Sequence, residues 1–386
     1  MKTTRRSFLA GGLLVPGALA SRRVQDAGPL PLRYASQQAP EVRYRELGST
    51  GLKVSSLGFG CMLTSDPTVI ERAADLGINY FDTARGYQGG NNERMVGAAL
   101  KSRRQKVYIS TKSGANTTEA LLKDLETSLK ELGTDYVDIW CLHGRSSLDQ
   151  ITDQHLEAFA RAKKDGKIRF SGISTHAGQK QLLPALAQNP HIDVIITAYN
   201  FTMDAEMAAA IEQARKAGKG IIAMKVMAGG FRRAKPGTPL HEKFQREGVF
   251  VAALKWVLAN PNVDSTIPSM TDMEQLEQNM RAMVEPLTEA DRQLLAEQLD
   301  YIRPLYCRMC GACEGACPKG MPVADVLRCL SYVEGYGQFA FARDSYYTLP
   351  EVARSVQCRQ CDSCAVRCPN GVQVHERLIR AQELLV

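Results

Sequence analysis

The sequence has no apolar run near the roughly 20 residues that cross a bilayer, so no stable membrane span is expected in its 386 residues. It also lacks a glycine-rich dinucleotide loop. Gly58-x-Gly60 follows the first strand-like run, but Leu63 stands where G-x-G-x-x-G needs its third glycine. That disfavours a doubly wound sheet. Composition shows no extreme: 44% hydrophobic and 23% charged residues belong to an ordinary soluble globular chain. The length corresponds to two domains, or to one large barrel with an addition.

Cysteine, by contrast, is plentiful and unevenly placed. Of eleven, only Cys61, Cys141 and Cys329 stand alone, and they read as packing residues. The other eight form two runs of one spacing: Cys307-x2-Cys310-x2-Cys313-x3-Cys317-Pro318 and Cys358-x2-Cys361-x2-Cys364-x3-Cys368-Pro369. A disulfide framework does not explain such a repeat, and zinc sites seldom use four cysteines so closely set. The spacing is the bacterial ferredoxin run, whose fourth cysteine ligates the other cluster. By that rule Cys307, Cys310, Cys313 and Cys368 hold one [4Fe–4S] cluster, and Cys358, Cys361, Cys364 and Cys317 the other. Helical patterns in "PVADVLRCLSYVEGY", "LPEVARSVQ" and "VHERLIRAQELLV" surround the runs. Residues 304–386 therefore read as a small, mainly α-helical ferredoxin-like domain, similar to the two-cluster modules of respiratory enzymes.

At the other end, Thr4-Arg5-Arg6-Ser7-Phe8-Leu9 resembles a twin-arginine export signal, with Ala18-Leu19-Ala20 as a cleavage site. Residues 1–20 are then the signal and 21–40 a linker, and the expected location is the periplasm or cell envelope. The two ends fit each other, because that route carries proteins already folded around their cofactors. The formal charge of +7 includes Lys2, Arg5 and Arg6. Without them, and with cluster-bound thiolates counted, the charge falls close to zero, which gives no case for nucleic acid.

Between the ends, residues 41–285 alternate eight short apolar runs with helical patterns. The runs are "VSSLGFGCM", "INYFDTA", "VYISTKSG", "YVDIWCLHG", "IRFSGISTH", "VIITAYN", "GIIAMKVM" and "VDSTIPSM". Eight such βα units give a (β/α)8 TIM barrel, followed by a connecting helix over 286–303 and then the cysteine-bearing domain. The runs turn polar at their C-terminal tips: Asp82, Lys112, His143, Ser174 and Thr175, Tyr199 and Asn200, Lys225, and Ser269. In a TIM barrel those tips form the active-site face.

The order and spacing of these tips resemble the aldo/keto reductase family. "FDTARGY" supplies Asp82 and Tyr87, "STKSG" Lys112 and "CLHG" His143; the hairpin "RYRELGSTGLKVSSLGFG" is a typical family opening. The resemblance implies a catalytic tetrad for hydride transfer between NAD(P) and a carbonyl. Tyr87 would be the general acid, Lys112 would lower its pKa, Asp82 would fix Lys112, and His143 would orient the carbonyl. It also implies a nicotinamide-stacking role for Tyr199, with Asn200 beside it, and carboxamide contacts from Ser174 and Thr175. Ser269, Gln275 and Asn279 fall in the closing cofactor segment. Lys225, Gly229 and Gly230 either contact the pyrophosphate or merely shape the barrel end. Three departures stand out: Thr175 where Asn is common, Ile196 where Gln is common, and Gln275 where Arg often grips a 2′-phosphate. They leave NAD versus NADP open.

The implied protein is an oxidoreductase acting on a small polar carbonyl or sugar, because the loops at 86–92, 144–150 and 228–246 are polar and glycine-rich. Its two [4Fe–4S] clusters would serve electron transfer to a redox partner protein. A hydride carries two electrons and a cluster takes one. Two other readings therefore stand beside the first: structural clusters on a working reductase, and an exported electron-transfer or docking subunit on a degenerate barrel. Retention of all four tetrad residues weighs against the degenerate barrel.

Overall fold

A computed structural model of the chain describes residues 41–230, 239, 242–244 and 248–386. The export-signal reading of 1–20, the linker reading of 21–40 and much of the 228–246 loop lie outside the described residues.

The described chain opens with an antiparallel hairpin, β1 (Tyr44–Glu46) and β2 (Lys53–Ser55). Eight parallel strands follow: β3 (Phe59–Gly60), β4 (Tyr80–Asp82), β5 (Tyr108–Ser113), β6 (Val137–Leu142), β7 (Ile168–Thr175), β8 (Val194–Ala198), β9 (Gly220–Met224) and β10 (Ser265–Thr266). They hydrogen-bond in sequence order, and a parallel bridge between Leu57 and Thr266 closes the ring. β6, β8 and β9 are buried at every position, as strands covered on both faces must be. Leu47, Leu52, Tyr80, Ile139, Ile196 and Ile222 meet inside the barrel. The hairpin plugs its N-terminal end so tightly that a Cβ on Gly220 would lie 2.7 Å from Leu47.

The outer ring comprises α1 (Pro67–Asp75), α2 (Asn91–Leu100), α3 (Thr118–Leu132), α4 (Asp153–Lys164), α5 (Gln179–Ala187), α6 (Ala205–Lys216), α7 (Val249–Leu258) and α8 (Met273–Val284). Their ends follow local chemistry. The Thr117 hydroxyl accepts from Ala120 N to start α3, and Gly133, at φ 63°, stops it.

α9 (Glu289–Ile302), started by a Thr288–Asp291 capping box, leads off the barrel. Beyond it come α10 (Val323–Glu334), α11 (Phe339–Tyr347), α12 (Val352–Ser355) and α13 (Val374–Leu385), with no strand among the described residues after 303. α10 buries Val323, Val326, Leu327 and Leu330, one stripe at i, i+3, i+4 and i+7. Burying each such side chain stabilises by about 1.5–3 kcal/mol. These residues join Tyr346, Ala353, Leu378 and Leu385 in a core separate from the barrel's.

This helical domain lies over the C-terminal mouth of the barrel as a lid. Arg308 donates to the Thr202 carbonyl at 2.9 Å, and Asn200 Nδ2 donates to the Tyr306 hydroxyl at 3.2 Å. After α10 the two backbones touch: a Cβ on Gly335 would lie 1.7 Å from the Gly229 carbonyl oxygen.

Candidate active site

The tips of β4, β5 and β6 bring the tetrad together. Lys112, 1% exposed, donates its Nζ to Asp82 Oδ2 at 2.6 Å and to the Thr83 carbonyl at 2.8 Å. The other oxygen of Asp82 accepts from the Ser110 hydroxyl at 2.6 Å, which itself accepts from Tyr80 at 2.8 Å. Both charges are thus fixed from several sides. The Lys112 ammonium lies 5.1 Å from the Tyr87 ring centroid. The His143 ring meets the Tyr87 ring edge-on at 5.8 Å.

The loop carrying Tyr87 is held by its own polar contacts. Gln88, in the left-handed region at φ 51°, donates to the Thr64 carbonyl at 2.7 Å. Below it Arg85 pairs with the buried Glu93, which accepts from Thr111 at 2.5 Å. Thr83 donates to Asn92 at 2.6 Å.

Burial works against the Lys112 ammonium, but Asp82 and Tyr87 outweigh it and leave its pKa raised. Burial pushes Tyr87 up to about 12, further than Lys112 pulls it down. Lys112 does pull the Tyr87 pKa down, as expected, but burial outweighs that pull and Asp82 adds to the rise. Burial takes His143 down to about 3, with Lys112, Arg328, Lys225 and Arg145 adding to the effect. This favours the neutral imidazole, with one N–H to donate and one ring nitrogen to accept.

Asp82, Tyr87 and His143 line a cavity of about 890 Å³, within the size range of ligand sites. It continues past Met224, Lys225 and Gly230 to Ser269 and Gln275. The lid supplies the facing wall, notably Arg328, Tyr332 and Tyr336. His176 also lines it, and its Nδ1 is buried without a hydrogen-bond partner.

Residues 64–300 match the family model described as the aldo/keto reductase family. The chain belongs to the aldo/keto reductase family. Among relatives of this reductase, L-galactose dehydrogenase of Arabidopsis thaliana is 30% identical over 285 residues, covering 64% of this chain and 89% of that one. A putative voltage-gated potassium channel subunit beta of Schizosaccharomyces pombe is 28% identical, covering 64% and 89%. Among solved structures, the holo form of an aldo-keto reductase of Bacillus halodurans superposes with a TM-score of 0.57 at 28% identity, covering 67% of this chain and 96% of that one. The family match ends at residue 300, so the lid lies beyond it.

Several residues expected to hold cofactor in this aldo/keto reductase turn away from the cavity. Tyr199 packs outward, 4.9 Å from the Trp256 ring, and accepts from Asn260 at 3.1 Å. Strand alternation explains this: Ile196 points into the barrel, so Tyr199, three positions on, points out. Ser174 accepts from Gly144 N at 2.9 Å, and Thr175 donates to the Ala177 carbonyl at 2.8 Å, so both hydroxyls are spent on backbone. Asn200 holds the Lys225 carbonyl at 3.0 Å. Asn279 is buried in α8 away from the cavity, and Gly229 packs against Gly335. Lys225, Gly230, Ser269 and Gln275 face the cavity, although the Gln275 side chain also donates to Thr271 at 2.9 Å. Met224 and His176 line it without having been singled out in the sequence.

In the lid, the eight repeated cysteines fall into two neighbourhoods. Cys307 has Cys310, Cys313 and Cys368 around it, and Cys358 has Cys361, Cys317 and Cys364. Donors point at the sulfurs: Met309 N to Cys307 at 3.4 Å, Asn370 N to Cys368 at 3.4 Å, Asn370 Nδ2 to Cys310 at 3.3 Å and Lys319 Nζ to Cys361 at 3.3 Å. Among the described residues, no three His, Cys, Asp or Glu side chains are set for a single metal ion. Cys61, Cys141 and Cys329 are fully buried in the cores.

Proposed function

We propose that this aldo/keto reductase interconverts a small polar carbonyl compound, such as a sugar, and its alcohol with NAD(P), under a lid that carries two [4Fe–4S] clusters. The observation that carries the reading is the Lys112–Asp82 pair set beneath the Tyr87 phenol, with His143 at its edge, at the mouth of one cavity.

Each residue has a defined task. Tyr87 keeps its proton at neutral pH and gives it to the oxygen that becomes the alcohol. Lys112 stays charged and steadies the phenolate left behind. Asp82 and Ser110 keep Lys112 in place. Neutral His143 hydrogen-bonds the carbonyl oxygen and orients it. Lys225, Gly230, Ser269 and Gln275 line the stretch that would hold the dinucleotide, which when bound supplies or accepts the hydride at the carbonyl carbon.

Cys307, Cys310, Cys313 and Cys368 would hold one cluster and Cys358, Cys361, Cys364 and Cys317 the other, supplying one-electron chemistry toward a redox partner protein. Export of the folded protein to the periplasm or cell envelope belongs to the same reading. A second reading, an electron-transfer or docking subunit on an idle barrel, draws on the channel subunits among the relatives.

Anaerobic purification, mass spectrometry of any bound nucleotide and EPR after adding carbonyl substrate separate these. Bound nucleotide with cluster reduction supports a coupled enzyme. Turnover without a cluster change leaves the clusters a structural role. Intact clusters with neither nucleotide nor turnover overturn the reductase reading.

A further inference from the structure

The lid brings a second phenol to the cavity, in surroundings that invert those of Tyr87. Tyr332 is 3% exposed and lines the cavity. From its own helix, Arg328 donates Nη1 to the phenol oxygen at 3.1 Å. From the barrel, the Lys225 ammonium lies 4.9 Å from the ring centroid. A phenol oxygen offers two lone pairs and one hydrogen. With Arg328 on one lone pair, the hydrogen and the other lone pair are left for Lys225 and the cavity.

The other groups around Tyr332 do not cancel those cations. Cys329 is on its own helix, Tyr336 stacks at 5.6 Å, Phe341 of α11 lies at 4.8 Å, and Tyr87 and Tyr306 complete the set. The carboxylate nearby, Asp325, takes Arg328 Nη2 at 3.0 Å and is 47% exposed. Among the described residues, no carboxylate is among the largest influences on Lys225. Burial raises the Tyr332 pKa, but Lys225 and Arg328 outweigh it and leave it below the usual phenol value. Two titratable groups in one site, pushed in opposite directions, are the usual mark of an acid and a base. The cavity walls also hold buried polar atoms without partners, Arg328 Nε on the lid and His176 Nδ1 on the barrel. A substrate with hydroxyls beside its carbonyl would satisfy them, whereas an alkyl group would leave them stranded.

We propose that Tyr332 is a second acid–base residue, supplied by the lid, which exchanges the proton on the carbon next to the substrate carbonyl, and that the substrate is an α-hydroxy carbonyl compound. The proposal rests on the reading of this cavity as a carbonyl site. The C–H bond breaks and its proton passes to the Tyr332 oxygen as phenolate. The electron pair left behind forms the double bond of an enolate, whose charge lies on the former carbonyl oxygen, facing Tyr87 and His143. Return of the proton to the same carbon reverses the step, and no oxidant or reductant enters. Epimerisation at that carbon follows when the proton returns to the other face.

The test is proton NMR in heavy water with the full cluster-loaded protein, glyceraldehyde and dihydroxyacetone as probes, and no added nicotinamide. Wild type is expected to exchange deuterium into the carbon next to the carbonyl above the buffer rate. Tyr332→Phe should lose about 10²-fold or more of that rate while keeping its melting temperature. The wild-type rate should rise with pH through one ionisation, and Arg328→Gln should move that midpoint upward. Arg328→Gln carries the test alone if Tyr332→Phe fails to fold. Absence of wild-type exchange with both probes, Tyr332→Phe exchanging at the wild-type rate, or an unmoved midpoint overturns the proposal. Exchange without any nicotinamide-dependent reduction would instead remove the reductase reading and leave Tyr332 as a base.

Discussion

Two tyrosine–lysine pairs face one cavity, and they are held differently. On the barrel wall Lys112 lies 5.1 Å from the Tyr87 ring, and on the lid wall Lys225 lies 4.9 Å from the Tyr332 ring. The distances are nearly equal, yet one phenol is pushed up to about 12 and the other is drawn below its ordinary value. The difference is the carboxylate. Asp82 accepts from Lys112 at 2.6 Å and joins burial in raising Tyr87 against the pull of Lys112. Lys225 has no such partner among the described residues, and Arg328 adds a second cation at 3.1 Å from the Tyr332 oxygen. A lysine beside a phenol sets its acidity only to the extent that nothing else has claimed the lysine.

The largest effect that would sharpen this contrast is catalytic. Tyr87→Phe is expected to reduce carbonyl turnover about 10²–10⁴-fold, the contribution of a positioned general acid, with unchanged visible absorbance from the lid. Steady-state kinetics on the cluster-loaded protein checks it.

The two lysines should differ next in stability. Lys112→Met strands a buried Asp82 carboxylate and is expected to cost about 3–5 kcal/mol. Lys225→Met strands no carboxylate and removes a charge that burial already disfavours, so urea melts should show stability unchanged or higher. Equal losses in both variants would break the comparison.

The contact between the two walls comes third. Gly335→Ala puts a methyl group 1.7 Å from the Gly229 carbonyl oxygen, and overpacking of this kind costs about 1–3 kcal/mol. Gly86→Ala on the barrel side, where an added Cβ meets nothing within 4 Å, serves as the control in thermal melts.

The smallest effect is in acid. Burial and the surrounding cations take His143 from 6.5 to about 3 in the folded protein. Between those values the unfolded chain binds the extra proton, so stability is full above pH 6.5 and is lost as pH falls toward 3. His143→Gln should flatten that acid limb in urea melts taken at pH 4 and 7.

The barrel wall was legible in the sequence because its chemistry sits at strand tips. Asp82, Lys112 and His143 end three successive apolar runs, and Tyr87 follows Asp82 closely enough to share its loop. The lid wall was not. Arg328 and Tyr332 stand four apart in α10, a spacing that any helix shows, and nothing along the chain says which way that helix docks. For Tyr199 the reason is simpler. A tip residue's chemistry can be read from the sequence, but the face it takes depends on register, and here Ile196 holds the inward face. Ser174 and Thr175 are at the right tip, yet nearby backbone groups claim their hydroxyls. The cysteine runs were legible as a repeat because the same spacing recurs in both, each ending in Cys-Pro.

Transfer of label from reduced nicotinamide carrying deuterium at C4 to the carbinol carbon of a small α-hydroxy aldehyde is the most direct measurement of the proposed chemistry. Deuterium in the product of the wild-type protein, lost in Tyr87→Phe while Tyr87→Phe still binds the nucleotide, is the predicted result. Alcohol formed without deuterium, or formed by Tyr87→Phe at the wild-type rate, would contradict it.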